Sequence, residues 1–200
     1  MDMREAMNYP YRISVHSPLG EIIVQGSQTH IQYLKFEQND SAAFTESERI
    51  PSWDKACRQQ LVHYFSGKSM AGSFEFDLPI DPQGTEFQQQ VWQALCDVKN
   101  GSLASYQQIA AAIGNKKAVR AGATANARNP IWLIIPCHRI VGSDNALCGY
   151  AGGIERKAKL LQLESHKLNV DFEAGEGVEV DALKNKINKK TKVINSIFLT

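Results

Sequence analysis

The stretch that decides the fold is Ser105-Tyr106-Gln107-Gln108-Ile109-Ala110-Ala111-Ala112-Ile113-Gly114-Asn115-Lys116-Lys117-Ala118-Val119-Arg120-Ala121-Gly122-Ala123-Thr124-Ala125-Asn126-Ala127-Arg128-Asn129-Pro130. Ser105 with Gln108 three residues later fits a capping box, in which each side chain satisfies the other's free backbone N–H. Ile109, Ala110 and Ile113 give a short helix, and Gly114 suits its C′ position. A second helix is predicted from Ala118 to Ala127. Asn129-Pro130 ends it, because proline forces the residue before it out of the α region. Two short helices joined by a glycine-containing turn form a helix-turn-helix candidate. The second helix is rich in small residues: Ala121, Gly122, Ala123, Ala125 and Ala127. Such a helix approaches another surface closely, and that surface is either DNA or a helix of the core. The segment alone leaves both open.

Downstream, Ile131 to Ile135 is an apolar run that delivers the chain to Pro136-Cys137-His138-Arg139. A loop from Gly142 to Asn145 precedes Gly149-Tyr150-Ala151-Gly152-Gly153, and a last helix is predicted over Ile154 to Glu164. Upstream, Thr85-Glu86-Phe87-Gln88 is a second capping box, followed by Phe87, Val91 and Leu95 at the spacing of an amphipathic helix. Pro79, Pro82 and Gly84 punctuate the chain and mark a domain boundary. Before it, Tyr11 to His16, Glu21 to Val24 and Ile31 to Phe36 read as strands, and Asp54 to Phe65 as a helix. Phe74, Phe76 and Leu78 suggest a further short strand. The expected class is α+β: a three-stranded sheet with a helix over residues 1–83, with no obvious chemistry in it. A mostly helical unit with a helix-turn-helix and an active-site loop follows over 84–165. Residues 166–200 are an extension, read as a flexible tail or alternatively as a docked or partner-binding segment.

Composition is that of an ordinary globular chain, with 43% hydrophobic and 22% charged residues among 200. No apolar run reaches the roughly 18 residues of a membrane span, and the polar start does not resemble a targeting peptide. A cytosolic compartment, or the nucleus in a eukaryote, is the expectation. Net charge is +1 overall but −4 over 1–83 and +4 over 84–165, so the middle segment is either where phosphate would dock or a solvated charged face, and charge alone leaves both open. Cys57, Cys96, Cys137 and Cys148 form no C-x-x-C pair, so neither a zinc ribbon nor a thioredoxin-like motif is supported.

A cysteine attacks as its thiolate, and a neighbouring base or cation favours that form. Cys137 precedes His138 and Arg139 directly. In an extended segment neighbours point to opposite faces, so a turn at Pro136 or a bridging water is needed to join thiol and imidazole. The base needs an orienting partner, usually a carboxylate, for which Glu164 is a candidate. The competing reading is a buried strand-end cysteine beside a satisfied core histidine.

The run Ile135-Pro136-Cys137-His138-Arg139-Ile140-Val141 resembles the active-site signature of the O6-alkylguanine-DNA alkyltransferases. Gly84-Thr85-Glu86-Phe87-Gln88, Ser105-Tyr106-Gln107-Gln108-Ile109-Ala110, Arg120, Arg128-Asn129-Pro130, Gly149-Tyr150-Ala151-Gly152-Gly153 and Lys157, Leu160, Leu161 and Glu164 fall in that family's order and spacing. The resemblance covers about residues 10–165. It implies direct-reversal repair: one irreversible transfer of an alkyl group from O6-alkylguanine in DNA to Cys137, with O4-alkylthymine an open second substrate. It further implies His138 as base through a water, Glu164 as its holder and Tyr106 as proton donor toward N3 of the guanine. Arg120 would enter the duplex, and Asn129 would tie the recognition helix to the active-site segment. DNA contact would come from Tyr106, Arg120, Ala121, Ala123 and Arg128 in the minor groove. Tyr150, Ala151, Gly152 and Ile140 would line the base pocket. The implied partner is double-stranded DNA carrying alkylated bases, with no membrane, no cofactor and no metal. The chain is expected to be monomeric in solution, with cooperativity on DNA open.

Three departures stand out. Some relatives carry an N-terminal zinc site, but residues 1–83 hold only Cys57. Ala151 stands where some members have serine. Residues 166–200 pass the family's usual end. Rival functions are a lesion sensor without transfer, which would lack the acceptor cysteine; a major-groove transcription factor, which would need longer polar side chains on its recognition helix; and a cysteine hydrolase, which would need an oxyanion hole.

Overall fold

A computed structural model describes residues 9–37, 47, 49–66, 74–142 and 147–164. The expectations for 166–200 and for most of the Gly142 to Asn145 loop lie outside the described residues.

The order is β1 (Tyr11–Val15), β2 (Ile22–Gly26), β3 (Ile31–Phe36), α1 (Asp54–Phe65), α2 (Glu86–Cys96), β4 (Ala104–Ser105), α3 (Tyr106–Ala112), α4 (Val119–Ala127), a 3-10 turn (Cys137–Arg139), β5 (Ile140–Val141) and α5 (Ile154–Glu164). This is an α+β chain. Strands β1, β2 and β3 form an antiparallel meander in which Ile13, Val24 and Leu34 share a register line. Alternation places these residues, with Val15, Ile22 and Phe36, on the buried face. The core runs without a break from Ile13 to Leu160, so the sheet and the helices bury one another's apolar faces.

Strand β3 positions the reactive segment. Along its length it bonds two pieces of chain from outside the meander. Ile31 pairs with Ile80, through Ile31 N to Pro79 O at 2.8 Å and Asp81 N to Ile31 O at 2.8 Å. Leu34 pairs with Ile131, through Leu34 N to Pro130 O at 2.9 Å and Trp132 N to Leu34 O at 2.7 Å. The sheet edge is thereby covered, and the chain entering the Cys137 turn is held by backbone bonds.

Both capping boxes form. Thr85 and Gln88 start α2, and Ser105 and Gln108 start α3, with the reciprocal bonds present in each. Gly114 follows α3 at φ +73°, where a side chain would be strained. Helix α4 starts at Val119 rather than Ala118, which serves as its N-cap.

One expectation is corrected. Residues 74–78 form no strand. Phe74 and Phe76 pack on Tyr64 at 5.9 and 5.3 Å, and the Asp77 backbone bonds both ends of the Gln60 side-chain amide instead of a neighbouring strand. Residues 131–136 are folded rather than extended. Ile135 N donates to Ile131 O, and Leu133 takes φ +70°, a conformation uncommon for a branched residue.

Candidate active site

Cys137 lies on the 3-10 turn, 2% exposed, so it and His138 are not opposed as strand neighbours would be. Arg139 N donates to Pro136 O, and Ile140 N caps the turn on Cys137 O. Asn129 holds the approach. Its Nδ2 donates to Ile135 O at 2.8 Å, and its Oδ1 accepts from Ile131 N at 2.9 Å. The Trp132 indole donates to Asn129 O at 3.1 Å. Asn129 thus joins the end of the helix-turn-helix to the loop that presents Cys137.

His138 is fully buried, with Nε2 2.9 Å from Glu164 Oε1. Arg139 binds the same carboxylate twice, Nε to Oε2 at 2.9 Å and Nη2 to Oε1 at 2.9 Å, and sends Nη1 to Val98 O. Tyr64 of α1 adds its hydroxyl to Glu164 Oε1 at 2.8 Å. Burial opposes charge on Glu164, but the His138 and Arg139 contacts outweigh it and hold the carboxyl well below its ordinary range. Burial keeps His138 below its ordinary value, although Glu164 opposes that shift. With Glu164 ionised, Nε2 carries the proton, which leaves Nδ1 as a buried lone pair; it has no hydrogen-bond partner among the described residues. Burial pushes the Cys137 thiol up to about 11, while Asn129 and the Lys157 cation pull the other way. At neutral pH the thiol is therefore protonated, and attack requires a base.

Lys157 is a fully buried cation whose Nζ donates to Ile140 O and, at 3.1 Å, to Cys148 O. It fastens the two sides of the loop between them. Tyr106 opens α3, half-buried, with its hydroxyl beside the Cys148 thiol and close to Cys137; burial raises its pKa. Tyr150 packs on Trp132 at 5.4 Å between ring centres. Gly152 backs that pair, since a Cβ there would sit 2.6 Å from Tyr150 and 2.8 Å from Trp132. Ile140 is buried, whereas Ala151 is exposed.

Helix α4 answers the earlier ambiguity with two faces. Gly122, Ala125 and Asn126 are buried, and the Trp92 indole of α2 donates to Ala125 O at 2.9 Å. Arg120, Ala121, Thr124, Ala127 and Arg128 are exposed, with Ala123 half-buried at the margin. Small residues therefore serve both the core contact and an open surface. Among the described residues no His/Cys/Asp/Glu cluster could hold a metal ion, and no helix is long and apolar enough to cross a membrane. The sequence reading missed Tyr64, the double contact of Arg139 and the buried Lys157. The N-terminal unit, read as carrying no chemistry, supplies Tyr64 to this network.

The arrangement is that of a buried cysteine next to an oriented histidine, behind a helix-turn-helix. The family model described as 6-O-methylguanine DNA methyltransferase, DNA binding domain, matches residues 86–166, and that of the ribonuclease-like domain of the same enzyme matches 11–82. The methylated-DNA–protein-cysteine methyltransferase of Methanosarcina barkeri is 40% identical over 156 residues, covering 77% of this chain and 96% of that protein. The constitutive enzyme of Bacillus subtilis is 42% identical over 161 residues, covering 77% and 94%. The crystal structure of Mycobacterium tuberculosis OGT in complex with DNA superposes with a TM-score of 0.66 at 38% identity, covering 76% of this chain and 90% of that one. The chain belongs to the 6-O-methylguanine DNA methyltransferase family.

Proposed function

We propose that this protein repairs DNA by direct reversal, taking the alkyl group of O6-alkylguanine onto Cys137 in a single turnover. The observation that carries this reading is the Cys137–His138–Glu164 arrangement at the end of a helix-turn-helix. In it a protonated, buried thiol adjoins a neutral imidazole whose outer nitrogen is fixed by a carboxylate.

A lesion inside a stacked duplex is out of reach, so the nucleotide is flipped into the pocket. Arg120, exposed near the start of α4, fills the gap, while Ala121, Ala123 and Arg128 lie along the minor groove and Tyr106 on the protein side. Contacts to phosphate and shape suit a protein that must act at any sequence. Tyr150 and Gly152 wall the flipped base, and Ala151 rims it. The Ile140 carbonyl, which already accepts from Lys157, has a second lone pair for the guanine edge.

His138 Nδ1 takes the thiol proton through one water. The thiolate sulfur then forms its bond to the alkyl carbon as the bond from that carbon to O6 breaks. The released electron pair goes to the purine, which takes a proton at N3 from Tyr106. The proton taken from the thiol balances the one delivered to the base. The thioether product does not hydrolyse under mild conditions, so each molecule acts once. O4-alkylthymine would enter the same pocket as a second substrate. The chain acts as a monomer in solution.

Duplex DNA with a radiolabelled O6-methyl group tests the reading. Label passes to the wild-type chain and not to Cys137→Ala; label retained by the variant overturns the assignment.

A further inference from the structure

Arg156, in the first turn of α5, joins two chain turns that lie far apart in sequence. Its Nε donates to Leu19 O at 3.0 Å and its Nη1 to Gly152 O at 3.1 Å. The guanidinium lies over the Phe36 ring of β3, 5.0 Å from its centre. Leu19 belongs to the turn between β1 and β2, which is closed by Gly20 N to Ser17 O at 3.1 Å. The buried Ser17 hydroxyl stiffens that turn, donating to Gly20 O at 2.6 Å and accepting from Leu19 N at 3.2 Å. Gly152 belongs to the turn that Gly153 N closes on Tyr150 O at 2.9 Å. A second route connects the same two ends. Tyr150 packs on Trp132 at 5.4 Å, and Trp132 on Phe36 at 6.2 Å. Arg156 closes these contacts into a ring, with the N-terminal sheet on one side and the Tyr150 turn on the other. No step of the proposed transfer uses it.

We propose that Arg156 is a positioning residue that sets which alkyl groups are accepted: by tying Gly152 to the β1–β2 turn it fixes the wall that Tyr150 and Gly152 present to the flipped base. This rests on the reading of those two residues as that wall. A guanidinium holds its N–H donors in a rigid planar fork, so two carbonyls bonded to it keep a set spacing. Here one carbonyl comes from each turn. A wall held in this way fixes how the purine seats, and with it the line from the Cys137 sulfur to the alkyl carbon. It also limits the room left for a longer alkyl chain, and a pocket discriminates by about 10–200-fold for each methylene it must fit.

Single-turnover transfer at saturating duplex is to be measured with O6-methylguanine and O6-butylguanine for the wild type, Arg156→Met, Arg156→Lys and Tyr150→Ala. Arg156→Met keeps an unbranched side chain over Phe36 and loses both carbonyl bonds. Methyl transfer should slow on the order of 10–100-fold. Butyl transfer should slow less, so that the methyl-to-butyl rate ratio falls on the order of 10-fold. Arg156→Lys has no fork to span both carbonyls and should fall between wild type and Arg156→Met. A merely structural role would lower the fraction of active protein, slowing both substrates by one factor and leaving the ratio unchanged. Equal slowing, or wild-type rates in a folded Arg156→Met, overturns the proposal. Should Arg156→Met fold poorly, Arg156→Lys carries the test, and a wild-type ratio there overturns it as well. If Tyr150→Ala shifts the ratio and Arg156→Met does not, only this inference falls. If Tyr150→Ala transfers both groups as the wild type does, the reading of the wall falls and takes this one with it.

Discussion

Replacing Tyr64 by phenylalanine removes one oxygen and little volume from the core. That oxygen donates to Glu164 Oε1 at 2.8 Å, and Tyr64 is 1% exposed, so no bulk water replaces it. A hydrogen bond to a charged group contributes about 1.5–3 kcal/mol. Glu164 keeps its contacts to His138 and Arg139, so the carboxylate remains paired and the larger penalty of an isolated buried charge does not arise. At about 2–4 °C per kcal/mol for a chain of this size, the melting temperature should fall by about 3–12 °C. Calorimetry and urea unfolding at neutral pH measure this directly. Packing of Tyr64 against Phe65, Phe74 and Phe76 survives the change, so a loss in this range reports the hydroxyl. A variant as stable as the wild type would refute the claim that the N-terminal helix is fastened to the Glu164 carboxylate.

Further outcomes follow from the same geometry. Asn129→Ala strands the Ile131 amide in the core, while the Ile135 carbonyl keeps the Cys137 N–H, so urea unfolding should show a loss of about 1–3 kcal/mol. Gly152→Ala drives a methyl into Tyr150 and Trp132; a stability loss of about 1–3 kcal/mol is expected, with slower transfer from duplex DNA in a single-turnover assay. The Cys137 thiol has a folded-state value of about 11, above the ordinary 9.0, so its contribution is fully present below pH 9 and is lost as pH rises through 11. The stability difference between wild type and Cys137→Ala should therefore shrink by on the order of 3 kcal/mol across that window, read from urea midpoints. Glu164 has the opposite sign: its value is depressed on folding, so its contribution holds above the ordinary carboxylate range and fades on acidification.

What could be read from the chain was local. The Thr85/Gln88 and Ser105/Gln108 boxes name their own partners three residues away, so the starts of α2 and α3 were legible. Alternation located β1, and apolar runs located β2 and β3. The residues at 74–78 alternate just as well, yet a side-chain amide, Gln60, took the backbone bonds a strand would have made. The Cys137 cluster was legible as a motif, and Glu164 as the carboxylate closing the last helix. Tyr64 was not, because it meets Glu164 across 100 residues and nothing around it differs from an ordinary amphipathic helix. Arg139 was legible only as a cation beside Cys137, and Lys157 only as a position in the family pattern. Only tertiary packing turns one into a carboxylate clamp and the other into a tie between two loop carbonyls.

The central claim is that Cys137 is consumed by its own reaction. Intact mass and peptide mapping after incubation with a large excess of O6-methylguanine duplex test it most directly. One methyl group per protein molecule, confined to the Cys137 peptide and not increasing with time, is the predicted result. Repaired DNA exceeding protein, free Cys137 after repair, or methyl on Cys57, Cys96 or Cys148 instead would contradict it.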